Sequence, residues 1–277
     1  MSDPRTSLLF ALADDELILG HRLSEWTGWV PYIEEDLALS SIAQDEIAHA
    51  RMLLDILSVI DGRDPDALAL GRTPIEYRNA ILCEQPNTDF AFTLARHWLY
   101  DHADDVRLRA MKQSSFKELR EAVEVMLLEE RYHLEHADAW FRRLADGPVD
   151  ARHRFGEALA NTIGMAEAIF EPLEDESEAV SEGILPVSSE QMRDEWRVRI
   201  GGMLDDVGFD QVLAAHAEPQ TGEMVPTSTG EIEAAADTAA VSRNLGAGGR
   251  RGEHSEHFAP LWEEMTALYR AHPGARW

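Results

Sequence analysis

The sequence contains a single cysteine, Cys83, among its 277 residues. One cysteine excludes an internal disulfide framework, a zinc ribbon and a cysteine-ligated iron–sulfur cluster. No run of about eighteen apolar residues is present, so the sequence predicts no membrane span. The first residues also lack the basic-then-apolar layout of a secretory signal. These absences predict a protein of the reducing cytoplasm.

Positive charge is scarce as well. Lys and Arg number 25 against 52 Asp and Glu, which gives a formal net charge of −27, and the only lysines are Lys112 and Lys117. Such a field repels phosphates, so nucleic acids and anionic membranes are poor candidate partners. The acids are spread along the whole chain, which favours a protein from an acidic proteome that is adapted to a salt-rich cytosol.

Four long segments show the apolar period of helices and are separated by Pro, Gly and Asn. They predict helices at about 7–26, 31–60, 88–111 and 115–144. A capping box, Ser115-Phe-Lys-Glu118, is expected to open the fourth helix. Further helices are expected at about 151–170, 189–201 and 255–270, with a short one near 75–82. Alternating β-branched runs are almost absent, so the predicted fold class is all-α.

Short turns join the first helix to the second and the third to the fourth. Each pair is therefore an antiparallel hairpin, and two such hairpins pack most simply as a four-helix bundle. We expect residues 1–217 to form this bundle with added helices, and residues 253–277 to add a C-terminal helix packed on it. Residues 218–252 lack an apolar period and are predicted to form a loop or linker.

The apolar stripe of each bundle helix is interrupted near its middle by a carboxylate. The interrupting residues are Glu16, Glu46, Asp101 and Glu130, and a histidine follows two of them three residues later, as His49 and His133. Three-residue spacing places such a Glu and His on one helical face. Burying an unpaired carboxylate costs several kcal/mol, so a bundle does not keep four of them without compensation.

The four carboxylates also share one predicted height in the bundle. Glu16 and Glu46 are each 15 residues from Pro31, and the second hairpin's pair is about equally far from its own turn. At roughly 1.5 Å per residue, each lies about 22 Å from its turn. Two lone carboxylates and two Glu-x-x-His pairs in one layer are the ligand set of ferritin-like di-iron and di-manganese proteins. Hard oxygens with one imidazole per ion favour dinuclear iron, or manganese, over copper or zinc.

A competing interpretation is that the carboxylates form buried ion pairs with arginine. Asp101 is the weakest member of the set, because Asp104 lies one turn away on the same helix. Asp45 and Asp138 are candidates to hydrogen-bond a ligating imidazole. The Gly- and Arg-rich stretch 246–252 follows no strand, so we interpret it as a flexible loop and not as a phosphate-binding loop.

Four stretches of the sequence form a more specific pattern. They are Gly20-His-Arg-Leu-Ser-Glu-Trp26, Leu82-Cys-Glu-Gln-Pro-Asn87 with the following Phe90 and Ala95-Arg96, Glu129-Glu-Arg-Tyr-His133, and Gly249-Arg-Arg-Gly-Glu-His-Ser-Glu-His257 with the closing Arg276-Trp277. In these stretches, and over essentially the whole chain, the sequence resembles the C-type subunits of the multicomponent phenylacetyl-CoA 1,2-epoxidase, the PaaC-like family.

The resemblance implies a ferritin-like fold and a role in aerobic phenylacetate breakdown, where O2 and electrons epoxidise the ring of phenylacetyl-CoA. It implies a hetero-oligomer in which a catalytic di-iron subunit, the A type, pairs with the C type, while a separate reductase supplies electrons. Subunits of the C type are usually regarded as structural and have lost several metal ligands. Here all six candidate ligands are present.

Three interpretations therefore compete. The chain is an accessory subunit, with or without metal of its own; or it is a catalytically competent di-iron monooxygenase subunit; or it stores iron as ferritins do. The third is the least favoured, because ferritin subunits are typically shorter than 277 residues. The sequence leaves open whether the chain is itself catalytic.

Overall fold

The computed structural model describes residues 3–30, 32–209, 211–212 and 246–275. This part of the chain contains ten α-helices and no strand, which confirms the all-α prediction. The helices are α1 Pro4–Ser24, α2 Ile33–Asp61, α3 Pro65–Leu70, α4 Ile81–Glu84, α5 Phe90–Met111, α6 Lys117–Ala145, α7 Val149–Glu167, α8 Glu176–Ser181, α9 Ser189–Asp206 and α10 Phe258–Ala271. Short 3-10 turns lie at Pro74–Glu76, Ala168–Phe170 and Gly249–Arg251. Among the described residues, no helix combines the length and apolar composition needed to cross a bilayer.

Helices α1, α2, α5 and α6 form a ferritin-like bundle of two antiparallel hairpins, as predicted. In the first hairpin, Gly20 of α1 lies against Ala43 of α2, and Thr27 near the turn hydrogen-bonds to Ser40. The second hairpin joins α5 to α6 through residues 112–116. Helix α2 lies beside α6, so the two hairpins share one interior.

Helices α1 and α5 are buried on nearly every side. Helices α2 and α6 cover one side of them, while α7 and α9 pack on α5 from the other side. The C-terminal segment that begins at residue 246 completes this cover, because the side chain of its Arg250 reaches Asp15 of α1. Helix α1 is therefore able to carry buried acids on two opposite faces.

The prediction of a capping box at the start of α6 is wrong. Helix α6 begins at Lys117, and Phe116 occupies its N-cap without a side-chain hydrogen bond. The backbone N–H of Ser115 instead donates to the carbonyl of Gly183, and its hydroxyl donates to the carbonyl of Glu182. A contact distant in sequence has replaced the local cap.

The short helix expected near residues 75–82 is also absent as one element. The 3-10 turn Pro74–Glu76 and helix α4 are separated by extended backbone around Tyr77 and Ala80. The backbone N–H of Arg78 donates to Asp14 Oδ2 at 2.7 Å, and that of Ala80 donates to Asp15 Oδ1 at 2.6 Å. The carboxylates of α1 thus take the backbone donors that a helix would have used.

The stretch 246–252 is a packed part of the fold and not the flexible loop expected from its composition. A Cβ atom at Gly249 would lie 2.1 Å from the carbonyl oxygen of Asn79, so only glycine permits this approach. The side chain of the next residue, Arg250, is buried. Residues 218–245 of the predicted linker, and the closing Arg276-Trp277, lie outside the described residues. The domain boundaries at 217 and 253 therefore stay predictions.

Candidate metal centre

The first hairpin brings Glu16 of α1 and Glu46 of α2 together in the interior, and both side chains are fully buried. Gly20 follows Glu16 by one turn. A Cβ atom there would lie 2.8 Å from Cγ1 of Ile47 and 3.1 Å from Cβ of Glu46. The missing side chain of Gly20 therefore lets α1 and α2 approach closely beside the two carboxylates.

Four of the six predicted ligands form one compact group. One donor atom from each of Glu16, Glu46, His49 and Glu130 lies within 4.8 Å of the others. The Nδ1 atom of His49 is 3.5 Å from Glu16 Oε2 and 3.3 Å from Glu130 Oε1. Atoms this close can contact one ion at the bond lengths of about 2 Å that nitrogen and oxygen ligands form with transition metals.

The two remaining predicted ligands extend this group toward α5 and α6. The Nδ1 atom of His133 lies 3.2 Å from Glu130 Oε1 and 3.7 Å from Glu46 Oε1. Glu130 Oε1 thus lies near both imidazoles, a position suited to a carboxylate between two ions. Asp101 is fully buried and lies outside the compact group of four, with its Oδ1 atom 3.1 Å from Nδ1 of His97.

Each imidazole is oriented by a carboxylate on its outer side. His49 Nε2 lies 2.8 Å from Glu129 Oε2, and His133 Nε2 lies 3.3 Å from Asp45 Oδ2. These bonds aim both Nδ1 atoms at the interior, and partners of this kind orient metal-ligating histidines. Asp45 takes the place that the sequence indicates. Asp138 does not, because it faces α5 and bonds to His102 and Trp98.

The interior of this layer contains polar atoms without hydrogen-bond partners, although buried polar atoms normally have one. They are Oε2 of Glu16, both carboxylate oxygens of Glu46, Asp101 and Glu130, and Nδ1 of His49, His97 and His133. Arginine does not supply the missing partners among the described residues: Arg72, Arg107 and Arg250 pair with Asp14, Asp15 and Asp104. Arg22 pairs with Glu25, and Arg96 donates to Gln85 and Asn87. The donor set fits metal ions of hard, oxygen-preferring character better than it fits ion pairs.

The layer redistributes protons among its own side chains. Burial, followed by the charge of Glu16, raises the pKa of Glu46 well above its usual value. Burial and Glu130 do the same to the pKa of Asp101. Burial alone would lower the pKa of His49 and of His133, but the neighbouring carboxylates raise these pKa values to about 11 and about 9. A metal ion entering this layer must therefore displace protons.

Several residues contact this layer in the structure although the sequence alone does not indicate those contacts. Tyr100 is buried next to Asp101, and its hydroxyl donates to Glu16 Oε1 at 3.3 Å. His97 Nε2 lies 3.2 Å from His136 Nδ1, and His136 Nε2 lies 2.8 Å from Glu35 Oε1. Glu129, the outer partner of His49, could have been found only through the matched stretch Glu129-Glu-Arg-Tyr-His133.

Comparison with known proteins identifies the family of the chain. A family profile described as phenylacetic acid catabolic protein matches residues 1–225. The chain is also 29% identical over 273 residues to the C subunit of the 1,2-phenylacetyl-CoA epoxidase of Escherichia coli (strain K12), an alignment that covers 98% of each chain. The profile spans the whole bundle and all six candidate ligands. The chain therefore belongs to the phenylacetic acid catabolic protein family.

Proposed function

We propose that this chain is a subunit of a 1,2-phenylacetyl-CoA epoxidase, in which it pairs with the catalytic di-iron subunit and holds a dinuclear metal site of its own. The observation that carries the metal site is the layer of buried carboxylate oxygens and imidazole nitrogens that lack partners in the protein. The subunit role is supported by similarity to the C subunit of an epoxidase over 98% of both chains.

The proposed ligands are those that interrupt the apolar stripes: Glu16, Glu46, His49, Asp101, Glu130 and His133. Iron, or else manganese, suits this set of oxygens with one imidazole per ion. When bound, a pair of iron ions supplies electrons for the activation of O2. The chain's own contribution is to orient the imidazoles through Glu129 and Asp45 and to exclude water from the layer.

The test of the metal site is the metal content of the isolated chain after anaerobic loading with Fe²⁺. We expect about two irons per chain, the number that a ligand set of this kind holds. Glu46→Ala should lower this number, whereas Glu34→Ala on the exposed surface of the same helix should leave it unchanged. A wild-type chain that retains no iron would refute the metal site, and a content far above two would favour iron storage.

The outer faces of α2 and α6 support the pairing with a second subunit. They expose large apolar side chains, with Leu37 at 65%, Leu128 at 66% and Tyr132 at 60% exposure. Neighbouring helices that both expose large apolar side chains are candidates for a protein–protein interface when those side chains form one patch. We propose that this face contacts the catalytic subunit, which in turn receives electrons from the reductase component.

Co-expression with a catalytic subunit of the same family tests this partner assignment. Leu128→Glu should weaken co-purification of the two subunits, because a charge would then have to be buried at the interface. Val198→Glu on α9 is the matched control, since Val198 is at least as exposed as Leu128 but lies on another helix. Equal recovery of the partner with both variants would place the interface elsewhere.

A second candidate function is catalysis by this chain itself, and the complete set of six ligand side chains favours it. Turnover of the reconstituted complex separates the two functions. If the metal of this chain takes part in the reaction, Glu46→Ala lowers turnover while the partner is still bound. Unchanged turnover of that complex would leave this chain the accessory role alone.

A further inference from the structure

A buried network of side chains connects the C-terminal segment to the candidate metal centre. It begins at Asp15, the residue before Glu16. The side chain of Asp15 is fully buried and lies about 100° around α1 from that of Glu16. Arg250 binds this carboxylate with two hydrogen bonds, from Nη1 to Oδ1 at 2.9 Å and from Nη2 to Oδ2 at 2.7 Å. A bidentate pair of this kind fixes the carboxylate in orientation as well as in position.

The network continues from Asp15 into the bundle through α5. Arg107 donates from Nη1 to Asp15 Oδ2 at 2.5 Å, and from Nη2 to the hydroxyl of Tyr100 at 3.2 Å. The Tyr100 hydroxyl in turn donates to Glu16 Oε1 at 3.3 Å. One oxygen of Glu16 is thus held by the protein, while the other, Oε2, has no partner and faces His49.

Arg250 is itself fixed by three parts of the fold. Its guanidinium donates to the backbone carbonyls of Ala11, Arg78 and Ile169, at 3.1, 2.7 and 2.8 Å. These carbonyls belong to α1, to the extended backbone before α4 and to the 3-10 turn after α7. The Nη1 group shares its two hydrogens among Ala11, Arg78 and Asp15. A planar guanidinium can reach all of these acceptors at once, whereas the single ammonium group of lysine cannot.

We infer that Arg250 is a positioning residue for the candidate metal centre. Through Asp15 and Arg107 it sets the hydroxyl of Tyr100, and through that hydroxyl it presents the free oxygen of Glu16 to a metal ion. This inference rests on the proposed metal site. The C-terminal segment that carries Arg250, although far from the ligands in sequence, then determines how tightly one of the two ions binds.

Titration of the metal-free, full-length chain with Co²⁺, followed by its visible absorption, tests the inference without any turnover assay. Arg250→Lys should weaken the binding of one Co²⁺ by up to about tenfold and alter its absorption spectrum, because it loosens Tyr100, whose hydroxyl is the outer partner of Glu16. Arg251→Lys is the control, because the Arg251 guanidinium is 46% exposed and pairs with Glu171 and not with Asp15. It should bind Co²⁺ as the wild type does.

A second variant, Tyr100→Phe, removes only the hydroxyl at the end of the network and should weaken the same ion to a similar degree. If Arg250 acts through Tyr100, the double variant binds no more weakly than the weaker single one. Three outcomes would each overturn the inference and leave the proposed metal site standing. They are wild-type Co²⁺ affinity in Tyr100→Phe, wild-type Co²⁺ affinity in a folded Arg250→Lys chain, and losses of affinity that multiply in the double variant. A wild-type chain that binds no Co²⁺ would overturn the proposed metal site together with it.

Discussion

At the scale of single residues, the candidate centre is a group of ligands that the protein orients but leaves without partners. Glu129 and Asp45 satisfy the outer nitrogens of the two imidazoles. The inner atoms of the same imidazoles, and both oxygens of Glu46, have no hydrogen bond. An unsatisfied buried group costs free energy. The unpartnered groups of this layer therefore lower the stability of the metal-free chain, but they are available to bind a metal ion.

Glu46→Gln tests this cost directly. The amide has the shape of the protonated carboxyl group that the raised pKa of Glu46 favours, and it can donate two hydrogen bonds to the carboxylates around it instead of one. We expect the free energy of unfolding of the metal-free chain to rise by about 1–3 kcal/mol, as measured by urea denaturation with a chelator present. Added metal should then stabilise this variant less than the wild type. Glu34→Gln is the control, and a metal-free chain destabilised by Glu46→Gln would contradict this account.

Metal binding should release protons, and its affinity should rise with pH. With pKa values of about 11 and about 9, His49 and His133 both carry a proton at pH 7 in the metal-free chain, although free histidine is mostly neutral there. A metal ion takes the deprotonated nitrogen, so protons compete with it below about pH 11 at His49 and below about pH 9 at His133. Calorimetric titration at pH 7 in two buffers of different ionisation enthalpy should detect the release. His153→Ala, at the exposed surface, should not change it.

The grouping of Glu16, Glu46, His49 and Glu130 could be predicted from the sequence, whereas most of the outer partners of these candidate ligands could not. A carboxylate at a position that the apolar period assigns to the core is unusual. Glu16 and Glu130 can be recognised in the sequence for that reason. Glu129 lies on the half-exposed side of α6, where acids are common, and Tyr100 occurs among other large side chains of α5. Only the three-dimensional structure shows that their polar atoms point toward ligands.

At the scale of helices, the close approach of α1 and α2 depends on one small residue. In a helix, replacing glycine by alanine normally stabilises by up to about 1 kcal/mol. At Gly20 we expect the opposite, a loss of about 1–3 kcal/mol, because the new Cβ would overlap Ile47 and the carbonyl of Ala43. Metal affinity should fall with it, since Glu16 and Glu46 would be pushed apart.

Gly202→Ala in α9 is the matched control for this change. A Cβ atom there meets nothing within 4 Å. Thermal unfolding should therefore show a small gain for Gly202→Ala and a loss for Gly20→Ala. A gain at both positions would mean that the two helices have room to spare beside the candidate centre.

The helices themselves, and their pairing into two hairpins, follow from apolar period and short turns. Their ends are less predictable, because tertiary contacts compete for the same backbone groups. Ser115 bonds to the turn at 182–183 and not to its own helix. Asp14 and Asp15 take the donors of residues 78 and 80. The sequence around each donor does not indicate these acceptors, because they are distant in sequence.

At the scale of the whole molecule, a net charge of −27 opposes folding when little salt is present. The screening length falls from about 10 Å at 0.1 M salt to about 3 Å at 1 M. We expect the melting temperature to rise over this range of KCl. The double variant Glu124→Lys with Glu190→Lys changes two exposed positions. Each substitution raises the net charge by two units, so that the net charge goes from −27 to −23. That variant should need less salt, and a melting temperature indifferent to salt in both chains would count against the salt-rich habitat.

The bond between Arg250 and Asp15 joins residues 235 positions apart, and this separation has a consequence for biosynthesis. At roughly 5–20 residues per second, ribosomal synthesis delivers residue 250 on the order of 10–50 s after α1 has emerged. Until then Asp15 lacks one of its two arginine partners inside the nascent bundle. We therefore expect the ion held by Glu16 to bind at full strength only after the full chain has left the ribosome.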